Sequence, residues 1–361
     1  MLKENAQKLP QELSFDRSIK WTWSLRKLQK ERYNIVSPKP NYSPSAGDVV
    51  VAEVVKIGNH SRIYSSENKY TRLYKGDIIV GTMGFRYATD AFHADKLDLN
   101  KLHLLTNSGL LGTVTSRHSK TSDPTHVRVI GRIRPNGQLE PLNLKQLQFQ
   151  HSIAHSEYPP VVFVVGTGMN SGKTTSTARI GKALVNSYLS VAILKVTGSV
   201  ANRDLFEFEA VDAQYTSDFS DYGFPSTYLC AAQEIEALFF QMIEDTLYTK
   251  PDIILVEIAD GILQRETQML LKSKVVKATA AGLILTAPCA LSALSLVDVA
   301  RKLGHCPIAV TGIITNAPLF VAEFQELENT PIFDTQGEVN KIRDLIVAKI
   351  TTPVPKATVQ A

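Results

Sequence analysis

The sequence predicts an α/β protein: a doubly wound, mostly parallel sheet over residues 158–350, preceded by a small β-rich, barrel-like domain. Three observations predict it. Apolar, β-branched runs at 161–165, 190–195, 252–257, 281–286 and 308–314 alternate with helical patterns at 173–187, 231–246, 265–272 and 291–303, the rhythm of a parallel sheet buried on both faces. The first of these runs leads into a glycine-containing loop and then Gly172-Lys173-Thr174. Residues 47–135 instead carry short apolar runs punctuated by Gly47, Gly58, Gly76 and Gly81, the pattern of a small OB-like barrel or a sandwich.

Taken in order, residues 1–40 are polar and mixed. Ser14 to Tyr33 reads as a helix carrying Trp21, Trp23, Leu25 and Leu28, with Ser14 as N-cap, and Pro38 and Pro40 bar its continuation. Within a domain at 41–150, strands are expected at 48–57, 77–80 and 127–130. Residues 136–157 read as a connector, and Pro159-Pro160 precedes the first strand of the α/β domain. A tail at 351–361, with Pro353 and Pro355, is expected to be loose. No internal repeat is visible.

Composition bounds the function. The 361 residues suffice for two domains; 44% are apolar and 20% charged, as in an ordinary globular protein. A net charge of +4 gives little support for a nucleic-acid partner. No run of about 18 apolar residues suggests a membrane span. The opening Met1–Lys8 lacks an apolar signal core, so a cytoplasmic location is expected. Cys230, Cys289 and Cys306 show no metal or redox spacing and are expected to be buried free thiols. His151 and His155 are spaced to share a helix face, but no cysteine or second histidine pair lies nearby, so no zinc site is expected.

The chemistry concentrates in Gly166-Thr-Gly-Met-Asn-Ser-Gly-Lys-Thr-Thr175. Strand, loop and helix in that order make a phosphate loop. Backbone N–H groups of Gly166, Thr167, Gly168, Asn170, Ser171 and Gly172 would face phosphate oxygens, and the helix dipole adds positive potential. Lys173 would reach the terminal phosphates, the Thr174 hydroxyl would ligate Mg²⁺, and Thr175 continues the binding turn. The eight-residue form of the motif places a glycine where Thr167 stands; Gly166 lies one residue earlier, and Gly168 is expected to supply flexibility. Three further elements end at predicted strand tips, the edge where such sheets bind ligands. Lys195 closes Val191–Leu194 and would stabilise charge on a transferring phosphoryl group. Asp204, in Asn202-Arg203-Asp204, either ligates a metal or caps a helix beginning at Leu205. Glu257 or Asp260 would hold Mg²⁺ directly or through water. Asn316, after the last apolar run, either reads an adenine edge or is an ordinary turn residue.

These elements resemble dethiobiotin synthetase and its relatives, the branch of P-loop proteins that includes MinD-like ATPases and nitrogenase iron protein. Gly166-Thr-x-x-x-x-Gly-Lys-Thr174 has that synthetase's spacing, which accounts for the extra residue. The Lys195 segment resembles its Lys-Pro-Val…Gly element, which implies that the lysine touches substrate and phosphate. Glu257-Ile-Ala-Asp-Gly261 looks like its Glu-Gly-Ala-Gly-Gly element with two glycines lost, and Thr315-Asn316 resembles its adenine-reading strand end. The resemblance covers roughly 160–320. The loop-plus-lysine pattern is also similar to a P-loop family containing D-glutamate N-acetyltransferases, whose acyl donor is acetyl-CoA; the polar segment Asp218–Tyr228 suits that group better.

Other polar clusters allow plainer explanations. Asp218, Asp221, Ser226 and Thr227 form either a substrate loop or a turn, and Arg265-Glu266 reads as a salt-bridged helix start. In the first domain, His60-Ser-Arg62, Phe85-Arg86-Tyr87 and Ser116-Arg117-His118 bind phosphate or a base, or are solvated loop charges. Three functions follow in order of preference. The first is an ATP- and Mg²⁺-dependent kinase or ligase acting on a small carboxylate or amine, with Lys173, Lys195 and Glu257 as its catalytic residues and a homodimer expected. The second is an acyltransferase holding the diphosphate of coenzyme A. The third is an ATP-gated binding protein whose first domain grips a partner. The late strands carry no Asn/Thr-Lys-x-Asp guanine reader, which favours ATP over GTP.

Overall fold

The computed structural model describes residues 12, 14, 18–147 and 158–351. His151, His155 and the tail after 351 lie outside them. The chain forms two compact units: residues 1–148 with 199–201 and 223–226, and the remainder.

In the first unit the strands are β1 (Ile19–Trp21), β2 (Tyr33–Val36), β3 (Val49–Lys56), β4 (Arg62–Tyr64), β5 (Tyr70–Arg72), β6 (Ile78–Met83), β7 (Phe92–His93), β8 (Leu102–Leu104), β9 (Leu110–Gly112), β10 (Ser116–Arg117) and β11 (Thr125–Pro135). β6, β3, β11, β8 and β9 follow one another, and β9 pairs back to β6, so five strands close into a barrel. Closure removes the exposed edges of an open sheet. β3 explains the long apolar run. Val50, Ala52 and Val54 fill one cluster with Ile79, Leu102, Leu104 and Leu111, while Val49 and Val51 face a second with Trp21, Val80 and Ile133. With both faces covered, the strand need not alternate with polar residues.

The helix expected at Ser14–Tyr33 does not form over the described part of that segment. Ile19–Trp21 pairs in parallel with β6, two short 3₁₀ turns follow, and β2 pairs with β11. Trp21 and Leu25 still reach one cluster, with Leu28 packed against it. Burial of the aromatic residue against β6 outweighs local helical spacing. The connector reading fails at its start too: Leu142 and Leu144 are buried, and Asn143 bridges to Asp48.

The polar clusters of this unit have local partners. Arg117 pairs with Asp123 at 3.0 Å, and Arg86 donates to the Leu105 carbonyl. His60 Nε2 donates to that same carbonyl at 2.8 Å and its ring lies edge-on to Phe92. Burial, then the charge of Arg86, lowers the His60 pKa to about 4. The unfolded chain therefore takes up this proton first. The stabilisation is complete above about pH 6.5 and is lost as pH falls toward about 4. Urea midpoints of the full chain should fall across that window, with up to about 3 kcal/mol from this ring. His60→Gln should flatten the slope; an unchanged slope would remove the ring from the acid response.

In the second unit the strands are β12 (Val161–Gly166), β13 (Val191–Lys195), β14 (Tyr215–Asp218), β15 (Ile253–Ile258), β16 (Ala280–Thr286) and β17 (Pro307–Thr311). They form one sheet in the order β14-β13-β15-β12-β16-β17, every pairing parallel. The helices are α1 (Lys173–Val185), α2 (Asn202–Glu209), α3 (Ala232–Glu244), α4 (Arg265–Lys272), α5 (Lys274–Thr279), α6 (Ala290–Lys302), α7 (Pro318–Leu327) and α8 (Val339–Thr351). Val162 and Val164 of β12 share a core with Ile180 of α1, Phe208 of α2 and Ile342 of α8. Phe163, one residue out of phase, meets Phe239 of α3 at 5.8 Å. Successive side chains thus bury against helices on opposite faces.

Several boundaries differ from expectation. β17 stops at Thr311 rather than 314, because Gly312 takes φ 97° and the chain turns into a 3₁₀ helix. β14 was hidden by its polar sequence, which an edge strand tolerates better than an inner one. α5, α7 and α8 had not been expected, and α2 stood only as an alternative, a helix beginning at Leu205. Glu266 and Arg265 do pair, at 2.5 Å. Cys230 is buried, but Cys289 is half-buried and Cys306 exposed; all three are free. No helix among the described residues is long and apolar enough to cross a membrane.

Candidate functional site

The β-branched run of β12 ends at Gly166, and α1 begins at Lys173. Between them the backbone needs unusual conformations. Gly172 precedes α1 with φ 100°, which strains any L side chain, and a Cβ there would lie 3.0 Å from Gly312 Cα. Asn170 also takes positive φ, 57°, a region asparagine tolerates. Gly168 has no positive φ and nothing within 4 Å of an added Cβ, so it is Gly172 rather than Gly168 whose conformation requires glycine.

Neighbouring strand ends hold the loop. Thr167 N donates to Thr286 O at 3.1 Å, and the Ser171 and Thr286 hydroxyls lie 2.8 Å apart, tying it to β16. Ile262 N, just beyond β15, donates to Gly166 O at 2.8 Å, and Ile313 N to Ser171 O at 3.3 Å. Gly261 is pressed against the loop: an added Cβ would sit 2.6 Å from Thr167 O and 2.8 Å from Gly168 Cα. Both neighbours are backbone, so they cannot swing aside. Gly261→Ala should cost about 1–3 kcal/mol by displacing the loop and weaken phosphate-ligand binding at least tenfold. Calorimetric titration of the variant checks this; wild-type affinity would show that the loop absorbs the shift.

Lys173 is buried, at 7% exposure, and donates to Gly168 O at 2.8 Å and Asp260 O at 2.5 Å. Burial lowers its pKa, against the pull of Glu257. Beside it lies an ion cluster. Lys195, at the tip of β13, donates to Glu257 Oε1 at 2.9 Å and to Asp204 Oδ2. Burial alone would lower the Lys195 pKa, but Asp204 and Glu257 override it and hold the ammonium charged. Burial would likewise raise Asp204, yet Lys195 holds it below the usual carboxylate range. Asp204 Oδ1 stands 3.4 Å from the Thr174 hydroxyl. Asp204 is in the first turn of α2, which begins at Asn202, so it is not the cap of a helix starting at Leu205.

The second carboxylate oxygen of Glu257, Oε2, is buried and lacks a hydrogen-bond partner. Such an atom is costly unless something supplies a positive charge or a proton. Lys195 and Glu257 are register partners on adjacent strands. Register therefore brings their side chains together across 62 residues of sequence.

Lys173, Thr174, Thr175, Asn170, Lys195, Asp204, Glu257 and Asp260 all line one cavity of about 230 Å³ with Met169, Gly172, Arg203, Glu207 and Ala259. Gly166 and Ser171 are buried and Thr167 and Gly168 half-buried, and none of these four lines the cavity. Asn316 is exposed on the 3₁₀ turn Ile313–Asn316 and does not line the cavity. Asp218 ends β14 and is buried, accepting from Ser220 N at 2.8 Å and Ser220 Oγ at 2.5 Å, so it caps a turn. Sequence reading missed Thr286, Gly261 and Thr197, whose hydroxyl donates to Ala259 O at 2.5 Å. Each is a small residue at or just beyond a strand tip, and only strand order reveals what it touches. A larger cavity, about 640 Å³, lies in the first unit beside Tyr42, Leu99 and His126. Its cations are taken: Lys39 by Glu140 and Arg128 by Glu53.

No family model and no curated protein matches the chain. Among solved structures it is similar to the signal recognition particle receptor FtsY from Elizabethkingia anophelis, at 15% identity and TM-score 0.39 over 58% of this chain and 70% of that one. It is also similar to HypB from Helicobacter pylori in complex with nickel, at 15% identity and TM-score 0.36 over 55% of this chain and 92% of that one. The strand–loop–helix arrangement of β12 and α1 stands on the chain's own geometry.

Proposed function

We propose that this protein binds ATP with Mg²⁺ and transfers a phosphoryl group to a small carboxylate or amine, as a kinase or ligase of the dethiobiotin synthetase-like kind. The observation carrying this is one cavity in which the phosphate-loop residues Lys173 and Thr174 meet the Lys195–Glu257–Asp204 cluster, with Glu257 Oε2 left unpaired. The residues present fit Mg²⁺. Among the described residues no three of His, Cys, Asp and Glu are grouped to hold a metal. Magnesium commonly needs only one or two carboxylates plus a hydroxyl and phosphate oxygens. Thr174, Asp204 and Glu257 are the donors that would hold it, with Asp260 on the same wall. Bound there, the ion supplies charge neutralisation on the phosphates. Lys173 would contact the terminal phosphates, giving up its carbonyl partners. Lys195, kept charged by its two carboxylates, would stabilise charge on the transferring group. The absent guanine-reading motif favours ATP.

The test is a thermal-shift panel of ATP, GTP and acetyl-CoA, each with and without Mg²⁺, since a ligand of the folded state raises the melting temperature. A rise with Mg-ATP is expected, followed by ADP release when the acceptor is supplied. A rise with acetyl-CoA and none with ATP would make the protein an acyltransferase. Mg-ATP binding with hydrolysis that only a macromolecular partner stimulates would make it an ATP-gated binding protein.

A further inference from the structure

The cavity holds its cations unequally. Lys173 is engaged by two carbonyls and Lys195 by two carboxylates. Arg203, in the first turn of α2, lines the same wall, is exposed, and has no hydrogen-bond or ion-pair partner among the described residues; only the longer-range charge of Asp204 acts on it. Glu207 stands one turn along at the spacing where arginine and glutamate ordinarily pair. It too lines the cavity, yet no ion pair joins them. The backbone beneath Arg203 is fixed on both sides: Asn202 is 3% exposed, and Asp204 is held by Lys195. The guanidinium is thus presented from an anchored turn.

Around it the lining carries the carboxylates of Asp204, Glu207, Glu257 and Asp260 against the cations of Lys173, Lys195 and Arg203. An anionic group arriving beyond the phosphate loop meets this acidic wall and needs a cation that no hydrogen bond or ion pair already holds. Arginine suits that task, because its planar fork matches phosphate and carboxylate oxygens and stays charged at any working pH. We infer that Arg203 binds an oxyanion held outside the phosphate loop. Two sources share this chemistry: the terminal phosphate of the bound nucleotide, and the carboxylate or phosphate of the second substrate. The inference rests on the nucleotide reading above and adds to it the anionic group beyond the loop.

The experiment is calorimetric titration of the full chain as wild type, Arg203→Ala and Arg203→Lys. The probes are Mg-ATP, Mg-ADP, and inorganic phosphate and malonate on protein with and without saturating Mg-ADP. Arg203→Ala should weaken at least one oxyanion about tenfold or more, with partial recovery in Arg203→Lys. An unchanged melting temperature without ligand would confirm folding. Loss for Mg-ATP but not Mg-ADP assigns the terminal phosphate. Unchanged nucleotide affinities with weaker phosphate or malonate binding assign the second substrate. Equal binding of every probe by wild type and Arg203→Ala overturns the inference, as does equal weakening of Mg-ATP and Mg-ADP with nothing else changed. Wild type that binds phosphate but no nucleotide sinks the nucleotide reading alone, and the phosphate arm still decides Arg203. Wild type that binds none of the probes overturns both.

Discussion

Lys173→Ala is expected to weaken Mg-nucleotide binding about a hundredfold or more, from loss of charge-assisted hydrogen bonds to phosphate made by an ammonium that is itself buried. The same change removes a buried ammonium and leaves the Gly168 and Asp260 carbonyls without it. These effects oppose one another in the ligand-free protein, so its stability should move by no more than about 1–2 kcal/mol. Affinity and stability therefore separate. Calorimetric titration measures the first and urea denaturation the second. Wild-type affinity in the variant would remove Lys173 from phosphate binding and with it the phosphate-loop reading.

Lys195→Met is expected to act in the reverse way, on stability first. Lys195 lies between Glu257, 1% exposed, and Asp204. Without the ammonium, the two carboxylates lose their only ion-pair partner among the described residues, and Lys173 and Arg203 act on them only from further off, so the loss costs about 3–5 kcal/mol. The pH dependence should change sign. In the wild type Asp204 is held below its usual value, so its contribution is present above about pH 3.8 and is lost as pH falls. In Lys195→Met the unpaired carboxylates hold protons more tightly folded than unfolded, so stability should rise as pH falls into the carboxylate range. Adding Glu257→Gln should recover much of the loss. Urea midpoints across pH for the single and double variants check both statements. A single variant as stable as wild type, with an unchanged pH slope, would mean the three groups are not energetically joined.

Part of the site was legible in the sequence because part of it is local. Val161–Val165 are β-branched or aromatic and precede a loop with its glycine two residues before Thr174, so strand, turn and helix follow from neighbouring residues alone. The lysine after Val191–Leu194 and the glutamate after Ile253–Val256 announced strand tips in the same way. Where local and distant preferences disagreed, the reading failed. Trp21, Leu25 and Leu28 have helical spacing, yet Ile19–Trp21 pairs with β6, where the indole is buried in a cluster with Val49, Val80 and Ile133. Tyr215–Asp218 was too polar to announce a strand, and becomes one because the edge of β13 offers unmet hydrogen bonds.

By itself the sequence determined an α/β unit with a glycine-containing strand–loop–helix turn at Gly172-Lys173-Thr174, a β-rich unit before it, and residue types suited to phosphate and a hard cation. Those depend on side-chain branching, glycine conformation and charge, which each short segment carries with it. Only the tertiary structure decided that Lys195 stands between Glu257 and Asp204, that Gly261 has no room for a side chain, that Asn316 lies off the cavity and that Arg203 lines it unpaired. These are contacts between strand ends remote in sequence. They depend on which strands become neighbours and in what register, and that choice is made by burying both faces of the sheet at once rather than by any segment alone.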